Sequence, residues 1–437
     1  MRTFVLAKDG KALMPCHPAR ARELLKSKQA VVHRLYPFVI RLKSRVDGDT
    51  QAVRIKLDPG SKTTGVAVVR EAVNATVVIN LFELMHRGRE ISKALTSRRA
   101  MRRGRRARNT RYREARFNNR TRASGWLAPS LQHRVDTTMC WIGRIRRWAP
   151  VVGLAQQLVR FDMQAMQNPE ISGVEYQQGE LAGYEVKEYL LEKFARTCAY
   201  CDAKDTPLQV EHIQAKARGG SNRVSNLTIA CRSCNLKKGA QDVSTFLGKQ
   251  PDRLKRILAQ AKAPLRDAAA VNTTRWALFN ALKATGLPVE AGSGGKTKWN
   301  RSRLGIPKTH ALDASCVGNV IDVKGWVEPA LTIKCTGRGS YQRTRLNKHG
   351  GIRGYLTRQK SHFGFQTGDM VRANVPTGKK AGLHVGRVAV RSSGRFNIQS
   401  SDGLVQGVSH RHCEIMQRSD GYGYSFNRVD NTGREQV

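Results

Sequence analysis

The chain has 437 residues, with 77 Lys and Arg against 33 Asp and Glu, for a formal net charge of +44. A hydrophobic content of 40% is enough for two or three packed domains, which excludes a disordered basic tail. The charge makes a polyanion the natural partner. No run of 18 apolar residues is present and the N-terminal MRTFVLAKDGKALMP lacks an apolar signal core, so no membrane span or exported form is expected. Nine cysteines, four of them in metal-type pairs, fit a reducing compartment, and the expected location is cytoplasmic and nucleoid-associated.

Residues 1–48 read as a small α/β unit, with a strand at Thr3–Ala7, a helix at Pro18–Ser27 and a hairpin of Ala30–Arg34 with Phe38–Leu42. Gln51–Leu57 is a strand that ends at Asp58. Pro59-Gly60-Ser61-Lys62-Thr63-Thr64-Gly65 turns the chain, and Val66–Val69 and Thr76–Phe82 continue it as strands. An aspartate at the end of the first strand of a hairpin is a candidate metal ligand, although a turn aspartate before Pro-Gly is also common.

Residues 98–122 hold twelve Arg and no Lys, and no carboxylate occurs between Ile91 and Arg113. On a helix, Arg98, Arg99, Arg102, Arg103, Arg105, Arg106, Arg108, Arg111, Arg113, Arg116 and Arg120 spread widely round the axis and leave no useful apolar stripe. Such a rod repels itself unless something neutralises it on several sides, and phosphates, which Arg grips in bidentate fashion, do so. Leu131–Trp148 follows as a core helix through Val135, Met139, Ile142 and Ile145. Val151–Asp162 is strand-like at its start, and residues 163–197 form a linker with a helix at Tyr184–Phe194.

Residues 198–235 carry the densest chemistry. Cys198/Cys201 and Cys231/Cys234 are two Cys-x-x-Cys pairs suited to a tetrahedral zinc ion. Between and after them come Glu211, His212, Asn226 and Asn235. His212 is a candidate base, and Glu211 with Asn235 offers hard oxygen ligands for Mg2+ or Mn2+. A structural zinc ribbon alone would need none of these four. Cys16, Cys140, Cys316, Cys335 and Cys413 read as ordinary residues.

Farther on, helices are expected at Val243–Leu247, Pro251–Ala263 and Thr273–Gly286, and a strand at Leu287–Ala291. In Thr309-His310-Ala311-Leu312-Asp313, His310 and Asp313 share one helix face and can reach one metal. From about Gly325 short strands alternate with Gly-rich turns, at Leu331–Lys334, Asp369–Ala373, Gly386–Val390 and Arg395–Gln399, which suggests a small barrel. Its basic residues and the aromatics Tyr341, Tyr355, Phe363 and Phe365 can stack on bases or, for about half of the aromatics, fill the core.

These pieces resemble known modules. Residues 198–235 look like an HNH nuclease of the ββα-metal fold. The Asp58 hairpin with His310-x-x-Asp313 looks like a RuvC centre of RNase H fold, and the arginine run resembles the bridge helix of RNA-guided nucleases. The order of the parts, with Lys11-Ala12-Leu13-Met14-Pro15 at the start and Arg116-Phe117-Asn118-Asn119-Arg120 in the basic run, resembles the IscB family of transposon-associated RNA-guided DNA endonucleases over nearly the full length.

The resemblance implies an α/β multidomain fold: a split RNase H-like (RuvC) domain in 49–86, 126–187 and 246–325, with an inserted HNH domain at 188–245. An N-terminal domain at 1–48, a bridge helix at 87–125 and a C-terminal small β-barrel-like domain at 326–437 complete it. It implies a guide RNA (an omega RNA) that pairs with double-stranded target DNA, and a monomeric protein within a ribonucleoprotein with structural Zn2+. HNH would cut the guide-paired strand and RuvC the displaced one. In these roles His212 is the general base, Glu211 and Asn235 hold the HNH magnesium, Asn226 orients His212, and Asp58, His310 and Asp313 hold the RuvC metals. Gln157 stands where the family has a metal-binding glutamate. An engineered exchange, or natural decay as the alternative, would leave RuvC inactive, and Asp162 is a weaker stand-in. The rival readings are a guide-independent HNH endonuclease of the homing or restriction kind and a non-enzymatic RNA-binding protein.

Overall fold

The computed structural model describes residues 1–107, 123, 125–158, 184–204, 206–220, 223–261, 266–337, 344–346, 352–355, 359–400 and 403–427. It is a mixed α/β protein of two compact units. One comprises Met1–Leu158 with Ala277–Val437, the other Val159–Trp276. Among the described residues no helix is long and apolar enough to cross a membrane.

The first unit opens with β1 (Thr3–Leu6), β2 (Ala12–Cys16), α1 (Pro18–Lys26), β3 (Ala30–Arg34) and β4 (Val39–Leu42), in a sheet of order β2-β1-β4-β3. Strand β2 was not foreseen, since Pro15 interrupts its pattern. Next come β5 (Val53–Pro59), β6 (Thr63–Ala72), β7 (Ala75–Met85), α2 (Gly88–Ala107), α3 (Pro129–Arg146) and β8 (Val151–Gln157). The arginine-rich helix starts at Gly88, one residue into the expected span 87–125, and residues 108–122 lie outside the described residues. The strand ends at Gln157, and residues 159–162, Asp162 among them, lie outside the described residues.

In the second unit, α4 (Tyr184–Lys193) leads into β9 (Leu208–His212) and β10 (Leu227–Cys231), an antiparallel pair running from Leu208 opposite Cys231 to His212 opposite Leu227. Helices α5 (Arg232–Lys238), α6 (Val243–Phe246) and α7 (Pro251–Ala261) follow. Leu190, Phe194, Leu227, Ile229, Val243 and Ile257 build this unit's own core.

The chain goes on through α8 (Arg266–Lys283), β11 (Val289–Gly292), α9 (Gly294–Arg303), α10 (His310–Ser315), β12 (Val323–Lys324) and β13 (Ala330–Cys335). Two short hairpins, β14 (Thr344–Leu346) with β15 (Ile352–Tyr355) and β16 (Ser361–His362) with β17 (Phe365–Gln366), precede β18 (Met370–Val375), β19 (Gly382–Ala389), β20 (Arg395–Ser400), β21 (Gly403–Ser409), β22 (Cys413–Gln417) and β23 (Tyr422–Asn427). Strands β18 to β22 make a five-stranded antiparallel sheet of order β21-β20-β19-β18-β22. Of the tail aromatics, Phe365 is a core residue packed on Phe396, whereas Tyr355 is 80% exposed. Phe363 is exposed on one face and stacks on His410 at 4.0 Å on the other, and Tyr341 lies outside the described residues.

The large sheet has the order β11-β8-β5-β6-β7-β13-β23, with β12 also on β7. Its pleat sorts residues by chemistry. In β5, Val53, Ile55 and Leu57 are fully buried against the main core with Trp141, Ile142 and Ile145 of α3. The alternate residues Arg54, Lys56 and Asp58 face the side covered by α10. There β6 offers Ala67 and Val69 to Ala311 and Leu312. Gly65, opposite Asp58, passes so close to α10 that a Cβ would sit 1.8 Å from the His310 carbonyl oxygen.

Backbone cannot yield as a flexible side chain does, so Gly65→Ala forces α10 off the sheet. The expected loss is roughly 1–3 kcal/mol or more, read as a lower urea midpoint for the full chain. An unchanged midpoint would mean that α10 is not seated on β6 in this way.

Candidate active sites

The first centre lies on the α10 side of the large sheet. His310 Nδ1 is 2.6 Å from Asp58 Oδ2. Space for the imidazole comes from Gly60, whose Cβ would fall 2.5 Å from His310 Cε1. Helix α10 is fixed from both ends of its first turn: the Thr309 hydroxyl accepts from the Leu312 N–H at 3.1 Å, and Glu83 Oε1 accepts from the Ala311 N–H at 2.7 Å. Glu83, on β7 opposite Gly65, was not singled out from sequence, because an acid in mid-strand carries no local pattern.

Asp313 is 95% buried. Burial, followed by the nearby Asp58 charge, pushes its carboxyl up to about 6 against the pull of Lys308, Arg301 and His310. Its cations are supplied by residues that no motif flagged. Arg301 Nε lies 2.8 Å from Oδ1, a close charge contact rather than an aligned hydrogen bond, and Lys308 Nζ lies 3.5 Å from Oδ2.

Gln157 ends β8. The parallel register sets Gln156 beside Leu57, so one step on, Gln157 shares the sheet face of Asp58. Its Oε1 is buried and has no hydrogen-bond partner. The carboxylates of Asp58 and Asp313, the His310 imidazole and the orphaned Gln157 amide oxygen are donors of the kind that suits a hard divalent ion, with one negative charge fewer than three acids would give.

The second centre belongs to the other unit. One sulfur from each of Cys198, Cys201, Cys231 and Cys234 lies within 4.8 Å of the others. Cys201 and Cys231 are 3.8 Å apart, about the edge of a tetrahedron with 2.3 Å zinc–sulfur bonds. The Cys231 N–H donates to Cys198 Sγ at 3.3 Å, and the Cys234 N–H holds the Cys231 thiol down at about 7. The four groups fit a zinc ion.

His212 ends β9, half-buried. Just beyond it, Asn226 clasps the turn: its Oδ1 accepts from the Gln214 N–H at 2.9 Å, its Nδ2 donates to the Gln214 carbonyl at 3.0 Å, and its own carbonyl accepts from the Ile213 N–H at 2.8 Å. Gly220 closes the same loop, where a Cβ would meet the Gln214 carbonyl at 1.8 Å.

Glu211 and Asn235 make separate contacts. Asn235 Nδ2 donates to Gln209 Oε1 at 2.8 Å. Glu211 is buried, and its Oε1 accepts from Lys238 Nζ at 2.7 Å. The same ammonium donates to the His212 carbonyl at 2.8 Å, and Lys238 itself is fully buried. Lys238 thus ties the end of α5 to both residues of the Glu-His pair. The sequence reading missed it, because a lysine in a +44 chain does not stand out.

The described part of the arginine-rich helix is exposed, including Arg98, Arg99, Arg102 and Arg103, while Arg106 is half-buried. Arg105 belongs to the helix by its backbone, and Arg108, Arg111, Arg113, Arg116 and Arg120 lie outside the described residues.

Residues 3–179 match the family described as RRXRR protein, whose name is spelled by Arg102-Arg103-Gly104-Arg105-Arg106, and residues 198–241 match the family described as HNH endonuclease. A search of curated proteins found no match. Among solved structures, Streptococcus thermophilus Cas9 in complex with AGGA PAM is similar at 12% identity and a TM-score of 0.23, over 63% of this chain and 33% of that one. The same enzyme in complex with the GGAA PAM gives 11%, 0.22, 60% and 32%. The Type II-C Cas9 enzyme from Actinomyces naeslundii gives 16%, 0.16, 46% and 30%. The chain spans about a third of those proteins, and scores this low do not establish a shared fold.

Two outcomes follow from the buried charges. Asp313 has a raised carboxyl, so its contribution to stability is complete below the unfolded value of about 3.9 and is lost as pH rises through about 6. Asp313→Asn in chelator-treated protein should therefore melt higher than the parent at pH 7.5, by at most about 3 kcal/mol, with the gap closing towards pH 4. A gap independent of pH would refute the assignment. Lys238→Ala strands Glu211 and should cost about 3–5 kcal/mol, much of it recovered by Lys238→Met with Glu211→Leu. Urea unfolding of the parent and these two variants decides this.

Proposed function

We propose, for a nuclease that joins an RRXRR region to an HNH endonuclease domain as IscB-like proteins do, that this chain is an RNA-guided DNA endonuclease which cuts only the guide-paired strand. The observation that carries this reading is the contrast between its two centres. One keeps His212 at a strand end beside Glu211 and a four-cysteine staple. The other has an amide, Gln157, on the face of Asp58.

In this reading His212, neutral, takes a proton from the attacking water, and Asn226 keeps the turn after it in place so that the imidazole stays aimed. Glu211, through the oxygen that Lys238 leaves open, and Asn235 after release from Gln209 would hold magnesium. A bound magnesium ion would supply positive charge for the phosphate and the leaving 3′ oxygen. Asp58, His310 and Asp313 would hold the metals of a RuvC centre of RNase H type, with activity against the displaced strand lost through Gln157.

The exposed arginines of α2 would grip a structured guide RNA. The paired DNA would be recognised through shape and charge, and the β14–β22 region, closed as a small barrel, would read a flanking DNA motif.

His212→Ala should lower cleavage about 10²–10⁴-fold with RNA and DNA binding unchanged; lost binding would make His212 structural. With the two DNA strands labelled separately, the unaltered chain should nick the guide-paired strand alone, and Gln157→Glu should restore cutting of the other. Displaced-strand cleavage at equal rate by the unaltered chain overturns the nicking assignment. Cutting of one locus after RNase treatment would point instead to a guide-independent endonuclease.

A further inference from the structure

Three donor groups unused by either centre meet at the root of the arginine-rich helix. His86 follows β7, His133 lies early in α3 and Cys335 ends β13. One ligand atom from each lies within 4.8 Å of the others. The topology brings them together. Strands β7 and β13 run parallel with Met85 beside Lys334, so His86 and Cys335 come next side by side. Gly88, the first residue of α2, approaches α3 so closely that a Cβ would lie 2.9 Å from the Ser130 carbonyl oxygen.

The donors are already oriented. His86 Nε2 is 2.8 Å from Thr64 Oγ1, while its Nδ1 is buried and has no hydrogen-bond partner. With Nε2–H donating to Thr64, Nδ1 keeps a lone pair that nothing satisfies. His133 accepts the Arg87 N–H at 3.2 Å through Nε2 and faces Thr137 Oγ1 at 3.3 Å through Nδ1; both are long, and either can be exchanged for a stronger bond. Burial holds both rings in the neutral, ligating form: His86 is lowered to about 3, with Arg134, His133 and His310 adding to the effect, and His133 is lowered too, although Asp136 and Glu90 oppose this. Burial raises the Cys335 thiol to about 11, against a hydrogen bond from Thr137 and the charge of Arg87.

We propose that His86, His133 and Cys335 form a zinc site that clamps the root of α2 to the large sheet and to α3. Two imidazoles and a thiolate are borderline-to-soft donors without a carboxylate among them, a set that favours zinc over magnesium or calcium. Zinc–nitrogen bonds of about 2.0–2.1 Å and a zinc–sulfur bond of about 2.3 Å ask the donors to close by about 1.5 Å at most, and three protein ligands leave the fourth position for water. On binding, the Cys335 S–H bond breaks, a sulfur–zinc bond forms and the proton passes to solvent; no electron is transferred. Cys335 is then a ligand rather than the ordinary residue that its isolation in sequence suggests.

The test is zinc content per chain in full-length protein dialysed against metal-free buffer, for the parent, Cys335→Ala and His133→Gln. Each variant should lose one ion per chain whatever the four-cysteine site retains, while Cys201→Ser with Cys234→Ser should remove a different ion. With cobalt in place of zinc, Cys335→Ala should take about a fifth of the thiolate-to-cobalt absorption, one sulfur of five. Circular dichroism and the remaining cobalt spectrum report whether each variant is folded. Unchanged metal content in folded Cys335→Ala and His133→Gln, or a thiolate-to-cobalt absorption in Cys335→Ala equal to the parent's, overturns the proposal.

Discussion

A carboxylate taken out of water must find positive charge, and both centres are built around that demand. Asp313 has Arg301 and Lys308, Glu211 has Lys238, and Asp58 has the His310 imidazole within hydrogen-bond distance. Each partner comes from another element: α10 against β5, α9 and the segment before α10 against α10, α5 against β9. The ion pairs therefore hold the two layers of each unit in register as well as neutralising its acids. In the proposed function a divalent ion would compete with these internal partners, and its affinity would be set partly by lysines and arginines that never touch it.

The same logic explains what could be read in advance. Residues whose roles depend on short spacing were legible: the paired cysteines, Glu211-His212, and the aspartate before Pro59-Gly60. The strand β5 was legible because its alternation is strict, with Val53, Ile55 and Leu57 buried on one face. Glu83, Arg301 and Lys238 were not, because each acts across the fold on a group more than 10 residues away and none has a local signature. Lys308, only five residues from its partner Asp313, was hidden for another reason, since lysine is abundant throughout this chain.

Elements with mixed patterning were also missed. The helix α9 carries four Lys and Arg in ten residues and looks like loop, yet Ser293 caps it and Asn300 anchors it through the carbonyls of Cys316 and Gly318. The tail aromatics show the limit from the other side. Phe363 and Phe365 are two residues apart in one hairpin, and only packing decides that the second is core while the first stacks on His410.

Gln157 gives the sheet an economy of its own. Its amide has the shape of a glutamate without the repulsion that a third acid would add beside Asp58 and Asp313. Asp313 already resists ionisation with one acidic neighbour, so a second would strain the centre further wherever no cation balanced it. With the amide, the sheet carries no third like charge that folding would have to offset.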